Sequence, residues 1–417
     1  MRINVIGLGY IGLPTAAVFA HSGAEVVGVD KNERIVSTIN DGNIHIEEPG
    51  LLDVIREVVG DGRLRAALQP CEADVFIVAV PTPNECGPAR GCDLSFVLSA
   101  VKSVIPYLKK GNTLIVESTI APRTMEDHIA PLVAQAGFTA GQNIFLAHCP
   151  ERVLPGNILH ELTHNNRIVG GLTPACADRA ADIYSLFVRG EIIKTEAKTA
   201  EMSKLVENTF RDVNIALANE LAKICCELKI NVLDVIAMAN KHPRVNIHAP
   251  GAGVGGHCIA VDPYFIYAEA PGTARMIKLA RDINSGMPDY VVSNVAKLLK
   301  GNEKAEIAVF GVAYKPNVDD TRESPALQII EKLAAKGYRL RIHDPHMSAP
   351  EYVSLDEALL GADMLLCLVG HNEFKQLDSR YVNRLMNQPL VFDVSGVISN
   401  VDMQIINYGN LYDYIDA

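Results

Sequence analysis

Two stretches of this 417-residue sequence read as strand, tight turn, helix, strand, and the stretch between them carries helical apolar spacing with no strand signal. Together they predict an α/β protein: two Rossmann-like doubly wound domains joined by a central all-helical region. The expected boundaries are 1–195, 196–298 and 299–417.

The first stretch is "RINVIGLGYIGLPTAAVFAHSGAEVVGVDKN". Its turn, Gly7-Leu8-Gly9-Tyr10-Ile11-Gly12, sets three glycines where a dinucleotide fold needs a sharp bend, close approach of backbone to pyrophosphate, and close helix-on-strand packing. The helix that follows turns the positive end of its dipole to the phosphate. Asp30 ends the second strand 18 residues beyond Gly12, where an acid bonds a ribose 2′-OH. Its charge opposes a 2′-phosphate, so the expected cofactor is NAD rather than NADP. The runs "ADVFIVAVPTP", "TLIVESTIAP" and "NIFLAHCPERVLPG" each close in a polar or proline-containing loop. Ligands bind at such carboxyl ends in open α/β sheets, which directs Thr82, Ser118, Thr119 and Glu151 to the cofactor cleft. Ordinary loop chemistry is the competing reading for each.

From Thr199 the spacing predicts one long helix, a turn near Lys229-Ile230-Asn231, and a second helix. Lys204, Asn208 and Arg211 stand at i, i+4 and i+7 and share a face, a pattern that solvated surface also produces. Next comes "APGAGVGGHCIAVDPYF", with Cys258 in a glycine-rich turn and Asp262 four residues on. Cysteine usually packs as a small hydrophobe. Where Gly251, Gly253, Gly255 and Gly256 let backbone and thiol approach a bulky ligand, it is a candidate nucleophile. The plainer readings are a packed thiol and a turn begun by Asp262 before Pro263. His257, Cys258 and Asp262 have no accompanying ligand cluster of suitable spacing, so no metal is expected.

After the linker "LLKGNEKAE", "IAVFGVAYKPNVDDTRESPALQIIEKLAAKGYRLRIHDP" repeats the opening plan and ends in Asp344. Its turn, Gly311-Val312-Ala313, lacks the three glycines, so no second dinucleotide is expected there.

Composition narrows the class. A hydrophobic content of 48% and charged content of 21% suit sizeable soluble cores, and a net charge of −11 argues against nucleic-acid binding. Nine cysteines without paired spacing predict reduced thiols and a cytoplasmic location. "MRINVIGLGYIG" is no signal peptide, and no run of about 18 apolar residues predicts a membrane span. One NAD site, a thiol, a lysine, an asparagine and an aspartate suit a four-electron oxidation: alcohol to aldehyde, capture as a thiohemiacetal, oxidation to a thioester, hydrolysis to an acid. A nearby cation such as Lys204 would raise the thiolate fraction.

The chain resembles the nucleotide-sugar 6-dehydrogenases, the UDP-glucose/GDP-mannose 6-dehydrogenase family, along its whole length. The resemblance lies in "GLGYIGLPTA", "VPTP", "ESTIAPRT", "CPERVLPG", "AEMSKLVENTFRDVNIALANE", "HPRVN", "GVGGHCIAVDPYF" and "FGVAYKPNVDDTRESP". His257 before the cysteine and Ile259-Ala260-Val261-Asp262 after it differ from the serine and Phe-Pro-Lys-Asp of UDP-glucose members. The pattern is similar to the mannosamine branch, whereas the N-acetylglucosamine branch often has proline in place of Ala260. The resemblance implies Cys258 as nucleophile, Lys204 as proton donor and acceptor, Asn208 as substrate and oxyanion contact, and Asp262 as the group that positions water or Lys204. It implies that Tyr10, Ile11, Asp30, Thr82 and Thr119 line NAD, with Arg322 reaching its phosphates. It also implies that Arg152, Val153, Arg211, His242, Arg244 and Gly253 hold a UDP-sugar under Tyr314 and Lys315. Such proteins are commonly dimers built on the long central helix, or oligomers of those dimers, with Arg244 completing the neighbour's site. Pro155 replaces a second glutamate of the UDP-glucose members, and Ser395 stands where mannosamine members can carry a lysine. The rival expectations are oxidation of UDP-N-acetylglucosamine and an inactive NAD- and UDP-sugar-binding sensor. The set Lys204, Asn208, Cys258 and Asp262 counts against the sensor.

Overall fold

The computed structural model describes residues 1–399 and 403–415. The chain divides into two compact units, Met1–Glu207 with Tyr264–Pro271, and Asn208–Pro263 with Gly272–Ala417.

In the first unit, β1 (Arg2–Ile6), β2 (Glu25–Val29), β3 (Leu64–Ala67), β4 (Val75–Val78), β5 (Thr113–Val116), β6 (Phe145–His148), β7 (Arg167–Gly171) and β8 (Ile192–Glu196) form one sheet. Its order is β3-β2-β1-β4-β5-β6-β7-β8. Neighbours run parallel except β6 and β7, which are antiparallel. The strands read as continuous apolar runs because both faces are covered. Ile3, Val5, Val75 and Ile77 pack on one side, while Ile6, Phe76 and Val78 pack on the other. Chain order reverses between β1 and β4, so the turn after β1 opens at the switch point of the sheet.

In the second unit, β9 (Glu306–Phe310), β10 (Arg339–His343), β11 (Met364–Cys367), β12 (Leu390–Asp393) and β13 (Gln404–Ile406) form a parallel sheet ordered β10-β9-β11-β12-β13. The same alternation holds: Ile307, Val309 and Leu366 face one core, Ala308, Phe310 and Leu365 the other.

The central helix runs Ala197–Leu228 as 32 residues without a break. It stops where Lys229 takes a left-handed φ of 56°. Asn231 then caps the next helix, Val232–Ala239, by accepting from Leu233 N at 3.0 Å. The turn therefore falls where the sequence placed it.

Candidate active site

The turn after β1 has the geometry a dinucleotide requires. Gly7 has φ 94°, and a Cβ there would lie 2.4 Å from Ala79 O. A Cβ on Gly12, the first residue of the helix Gly12–His21, would lie 1.8 Å from Gly7 O. Those two glycines close the bend on itself. Gly9 is different, since a Cβ there would meet nothing within 4 Å. That is the open approach a pyrophosphate needs above a helix N-terminus. The Asp30 carboxylate accepts from Leu8 N at 3.1 Å and Asn32 N at 2.9 Å, which fixes it at the edge of the turn. These residues fit NAD. Tyr10 is exposed, and Ile11, Thr82 and Thr119 are half-buried around the strand ends. Ser118 does not face a cleft: it is buried, its hydroxyl donates to Val80 O at 2.7 Å, and it accepts from Val80 N at 2.9 Å. It clips two strand ends together.

Residues 149–157, after β6, carry Arg152 and Val153. Glu151 is committed within the protein. One carboxylate oxygen accepts from Arg167 Nη1 at 2.8 Å and the other from Arg152 N at 2.7 Å. The second Arg167 nitrogen donates to Glu117 at 2.7 Å, and Glu117 also accepts from Tyr184 Oη (2.6 Å) and Thr15 Oγ1 (3.2 Å). The guanidinium lies over the Tyr184 ring, 4.0 Å from its centre. Two carboxylates thus share one buried cation. Burial pushes the Glu117 carboxyl upward, Arg167 pulls against that, and the charge on Glu151 adds to the rise. Arg152 is itself held by Glu207 (2.8 Å) and Asn166 O (2.5 Å). Farther along, buried Glu48 accepts from Gly156 N (2.8 Å) and Ile158 N (2.7 Å). Sequence reading missed Glu48, Glu117 and Arg167. The available signal was a charge set directly against an apolar run, as in "LIVES" and "NRIVGG".

Lys204, half-buried, stands four residues before Asn208 on the uninterrupted helix, with exposed Arg211 three residues farther. In the second unit Asn208 and Asp262 are joined: Asn208 Nδ2 donates to Asp262 Oδ2 at 2.6 Å, and both residues are buried. Asp262 opens the helix Asp262–Glu269, and its amide donates to Cys258 O at 2.8 Å, so the half-buried cysteine sits one turn before that helix. Tyr314 shares its surroundings with Cys258, Arg211, Asp320 and Arg322, and its phenol is raised by burial first and then by Asp320 and Cys258. Arg322 donates to Asp320, its nearest contact 2.5 Å, which holds that arginine in place. Lys315 Nζ lies 5.6 Å from the centre of the Tyr314 ring. His242 and Arg244 lie exposed in the segment before the cysteine turn, and Arg244 N donates to His242 Nδ1 at 3.3 Å. Ser395 turns inward, donating to Asp393 at 2.7 Å beside Cys367 Sγ at 3.3 Å.

The glycines of the cysteine turn have a different reason from the one sequence suggested. A Cβ on Gly255 would lie 2.6 Å from Glu323 O, one on Gly256 would lie 2.8 Å from the Tyr314 ring, and one on Gly253 would lie 3.0 Å from Asn284 O. They admit the protein's own segments 284 and 314–325. Gly251, with open space at its Cβ, is the one of the four that leaves room for something else. Beneath the turn, Asn219 Oδ1 accepts from Gly251 N (2.9 Å), its amide donates to Asn284 (2.9 Å), and Asn284 donates to Asp212, which also accepts from Arg281 at 2.6 Å.

Of the other thiols, those of Cys92, Cys149, Cys176, Cys225, Cys226 and Cys367 are buried, Cys71 is half-buried and Cys86 is exposed. Burial pushes Cys149 up to about 12 and raises Cys225 and Cys367. Among the described residues, His346, His371 and Glu373 form the one group of three side chains close enough to share a cation. His371 has both nitrogens engaged, Nδ1 accepting from Asn317 N (2.9 Å) and Nε2 donating to Asp344 (3.0 Å).

The first unit carries a dinucleotide turn, and the second carries a cysteine one helical turn before a buried Asn–Asp pair; each is a feature of dinucleotide-dependent oxidoreductases. Comparison with known proteins names the class. Residues 1–188 match the NAD binding domain of the UDP-glucose/GDP-mannose dehydrogenase family, 198–286 its central domain, and 308–400 its UDP binding domain. The chain belongs to that family, and its cofactor is NAD. A UDP-N-acetyl-D-mannosamine dehydrogenase of Methanococcus maripaludis is 47% identical over 96% of this chain and 93% of its own. An NDP-N-acetyl-D-galactosaminuronic acid dehydrogenase of Ralstonia nicotianae is 45% identical over 95% and 96%. The solved structure of the UDP-N-acetyl-mannosamine dehydrogenase Cap5O from S. aureus superposes with a TM-score of 0.93 at 51% identity, over the whole of both chains.

Proposed function

We propose that this chain oxidises UDP-N-acetyl-D-mannosamine at C6 to UDP-N-acetyl-D-mannosaminuronate, consuming two NAD and one water. The observation that carries the reading is the second unit's arrangement of Cys258 one turn before Asp262, with Asp262 held at 2.6 Å by Asn208. A binding module has no use for a thiol so placed. The names of the mannosamine relatives support the choice of sugar. We assign the segments 1–195, 196–298 and 299–417 to cofactor, chemistry and UDP in turn. No helix among the described residues is long and apolar enough to cross a membrane, which agrees with work in the cytoplasm.

Gly7, Gly9, Tyr10, Ile11, Gly12, Asp30, Thr82, Thr119 and Arg322 would hold NAD. Bound NAD supplies two-electron acceptance, and two molecules account for the four electrons lost at C6. Lys204 takes the proton of the C6 hydroxyl as the alcohol becomes an aldehyde. Cys258 Sγ then bonds the aldehyde carbon while its oxygen gains a proton, giving a thiohemiacetal. Asn208 donates to that oxygen. Loss of a second hydride and the hydroxyl proton leaves a thioester. Water oriented by Asp262 adds, the C–S bond breaks, the thiol regains its proton, and the acid leaves. Arg152, Val153, Arg211, His242, Arg244, Gly253, Tyr314 and Lys315 hold the nucleotide sugar.

The long helix also supports a dimer. Met202, Val206, Phe210, Leu217, Ile224 and Leu228 are exposed, and their spacing sets them in one stripe along its length. A second copy of the same helix matches a stripe of that length.

The test is NADH release with a panel of UDP-sugars. Two NADH per UDP-N-acetylmannosamine are expected, with a transient adduct of UDP-sugar mass on wild type and none on Cys258→Ala. Equal turnover of the gluco epimer overturns the sugar assignment. Two NADH per sugar from Cys258→Ala at the wild-type rate overturns the covalent route.

A further inference from the structure

Glu201 stands one turn before Lys204 on the central helix and is fully buried. It forms no side-chain ion pair among those found in the described residues. Both of its oxygens accept backbone amides from the segment after β5: Arg123 N at 2.6 Å and Met125 N at 2.8 Å. The captured segment is bent against its preference, since Arg123 has φ 73° with a side chain present. The Arg123 side chain contributes nothing to the capture. It points to Asp127, with Nε and Nη2 at 2.9 and 2.8 Å, and to Glu126 at 3.0 Å. The backbone bend is therefore held by Glu201, and the bend ends the loop that carries Thr119.

We propose that Glu201 is a positioning residue, fastening the loop that carries Thr119 to the helix that carries Lys204 so that cofactor contact and proton acceptor keep one spacing. This rests on the roles proposed above for Thr119 and Lys204. A carboxylate suits the task because it accepts at both oxygens and donates at neither. A protonated acid turns one of those acceptors into a hydroxyl. Burial pushes the Glu201 carboxyl up to about 7, the two amide bonds oppose the rise, and the charges on Glu126 and Asp127 add to it. The Arg123 guanidinium, engaged by Asp127 and Glu126, feels the Glu201 charge only as its smallest influence. The clamp is thus fully charged above neutral pH and weakens as pH falls through about 7.

Glu201→Gln keeps the shape but turns an NH2 towards one of the two amides. The expected result is a folded protein with kcat down about 10- to 100-fold, the scale of a misplacement near 1 Å, and the KM for UDP-sugar within about threefold of wild type. The part of the wild-type acid limb of kcat centred near pH 7 disappears in the variant. Glu201→Gln combined with Arg123→Gly, which relaxes the left-handed bend, recovers part of kcat. A folded Glu201→Gln that keeps wild-type kcat, or keeps the same acid limb at lower kcat, overturns the proposal. Should the variant not fold, amide exchange in wild type decides. Protection at Arg123 and Met125, corrected for intrinsic rates, must fall as pH drops from about 8 to 6, and constant protection overturns the proposal. Failure of the enzymatic reading looks different: wild type itself then yields no NADH with any UDP-sugar.

Discussion

At the end of β1 and at the end of β9 the backbone makes the same bend. Gly7 has φ 94° and Gly311 has φ 85°. In each unit the aspartate after the next strand accepts from the turn: Asp30 from Leu8 N at 3.1 Å, Asp344 from Val312 N at 2.8 Å. What differs is the space around that acid. Asp30 is half-buried and bonds two amides, while the helix starts at once, at Gly12. Asp344 is buried and also receives His371 Nε2 (3.0 Å) and His346 N (2.9 Å), and the helix waits until Pro325. The first bend keeps its acid half-buried, with His45 close by, and leaves Gly9 open to a ligand, whereas the second has buried its acid in direct contact with its own histidine. The dinucleotide turn is therefore distinguished less by the bend than by the open second glycine and the acid left only half-buried.

The comparison is broken or upheld most sharply by the glycines. A Cβ on Gly12 would stand 1.8 Å from Gly7 O, a backbone atom with nowhere to go. Gly12→Ala is expected to lower NAD affinity at least ~100-fold, about 2.7 kcal/mol, by calorimetric titration of the folded fraction. A Cβ on Gly311 meets Val369 Cβ at 2.5 Å, and there, unlike at Gly12, φ is positive. Gly311→Ala is expected to lower Tm, by roughly 1–3 kcal/mol of stability, and to leave NAD affinity unchanged. A Gly311→Ala protein that binds NAD as poorly as Gly12→Ala would mean the second bend also serves the dinucleotide.

The aspartates come next in size. Asp30→Ala removes a charged acceptor for a ribose hydroxyl, worth about 1.5–3 kcal/mol, or roughly 10- to 150-fold in NAD affinity. It should also narrow the gap to NADP. Asp344→Ala strands His371 and should appear only in thermal stability. Wild-type protein that used NADP as readily as NAD would remove the ribose role from Asp30.

Much of this was legible because the residues concerned follow local rules. Gly7, Gly12 and Asp30 are fixed by one strand, one turn and one helix in sequence, and Lys204, Asn208 and Arg211 by a single helix. The break at Lys229 and the cap at Asn231 are likewise local. What escaped was set by distant partners. Glu201 finds its amides 76 and 78 residues away, and Arg167 meets Glu117 across 50 residues. The strands β3, β7 and β8 were not picked out, and the antiparallel β6–β7 pair has no periodic signature. The glycines of the cysteine turn were visible, but their reason was misread. Segments far along the chain, Tyr314 and Glu323–Pro325, take up the room that local reasoning had left for a ligand.

The finest test of the comparison is acid–base. Burial works against the charge on Asp344, but the His371 bond and the amides of Val312 and His346 outweigh it, so its carboxyl is held below the ordinary value of 3.8. A carboxyl depressed by folding contributes stability that is present above its unfolded value and is lost as pH falls through the folded one. Asp344 should therefore support the second unit undiminished at pH 5 and fail progressively below about 4. Against global unfolding, in which its burial is lost, Glu201, raised to about 7, works in the opposite sense: the folded state holds its proton longer, so stability falls as pH rises from about 4.5 towards 7, whereas release of its two amides alone, with the carboxyl still buried, is favoured as pH falls. Asp344→Asn keeps the shape and cannot ionise. The Tm gap between wild type and Asp344→Asn should be constant from pH 5 to 8 and close by a few degrees on descent towards pH 2. Calorimetry across that range reads it directly. A gap that stays open at pH 2 would show that Asp344 acts through shape alone. The second bend would then be filled by packing rather than by the hydrogen bond from His371 to a charged carboxylate.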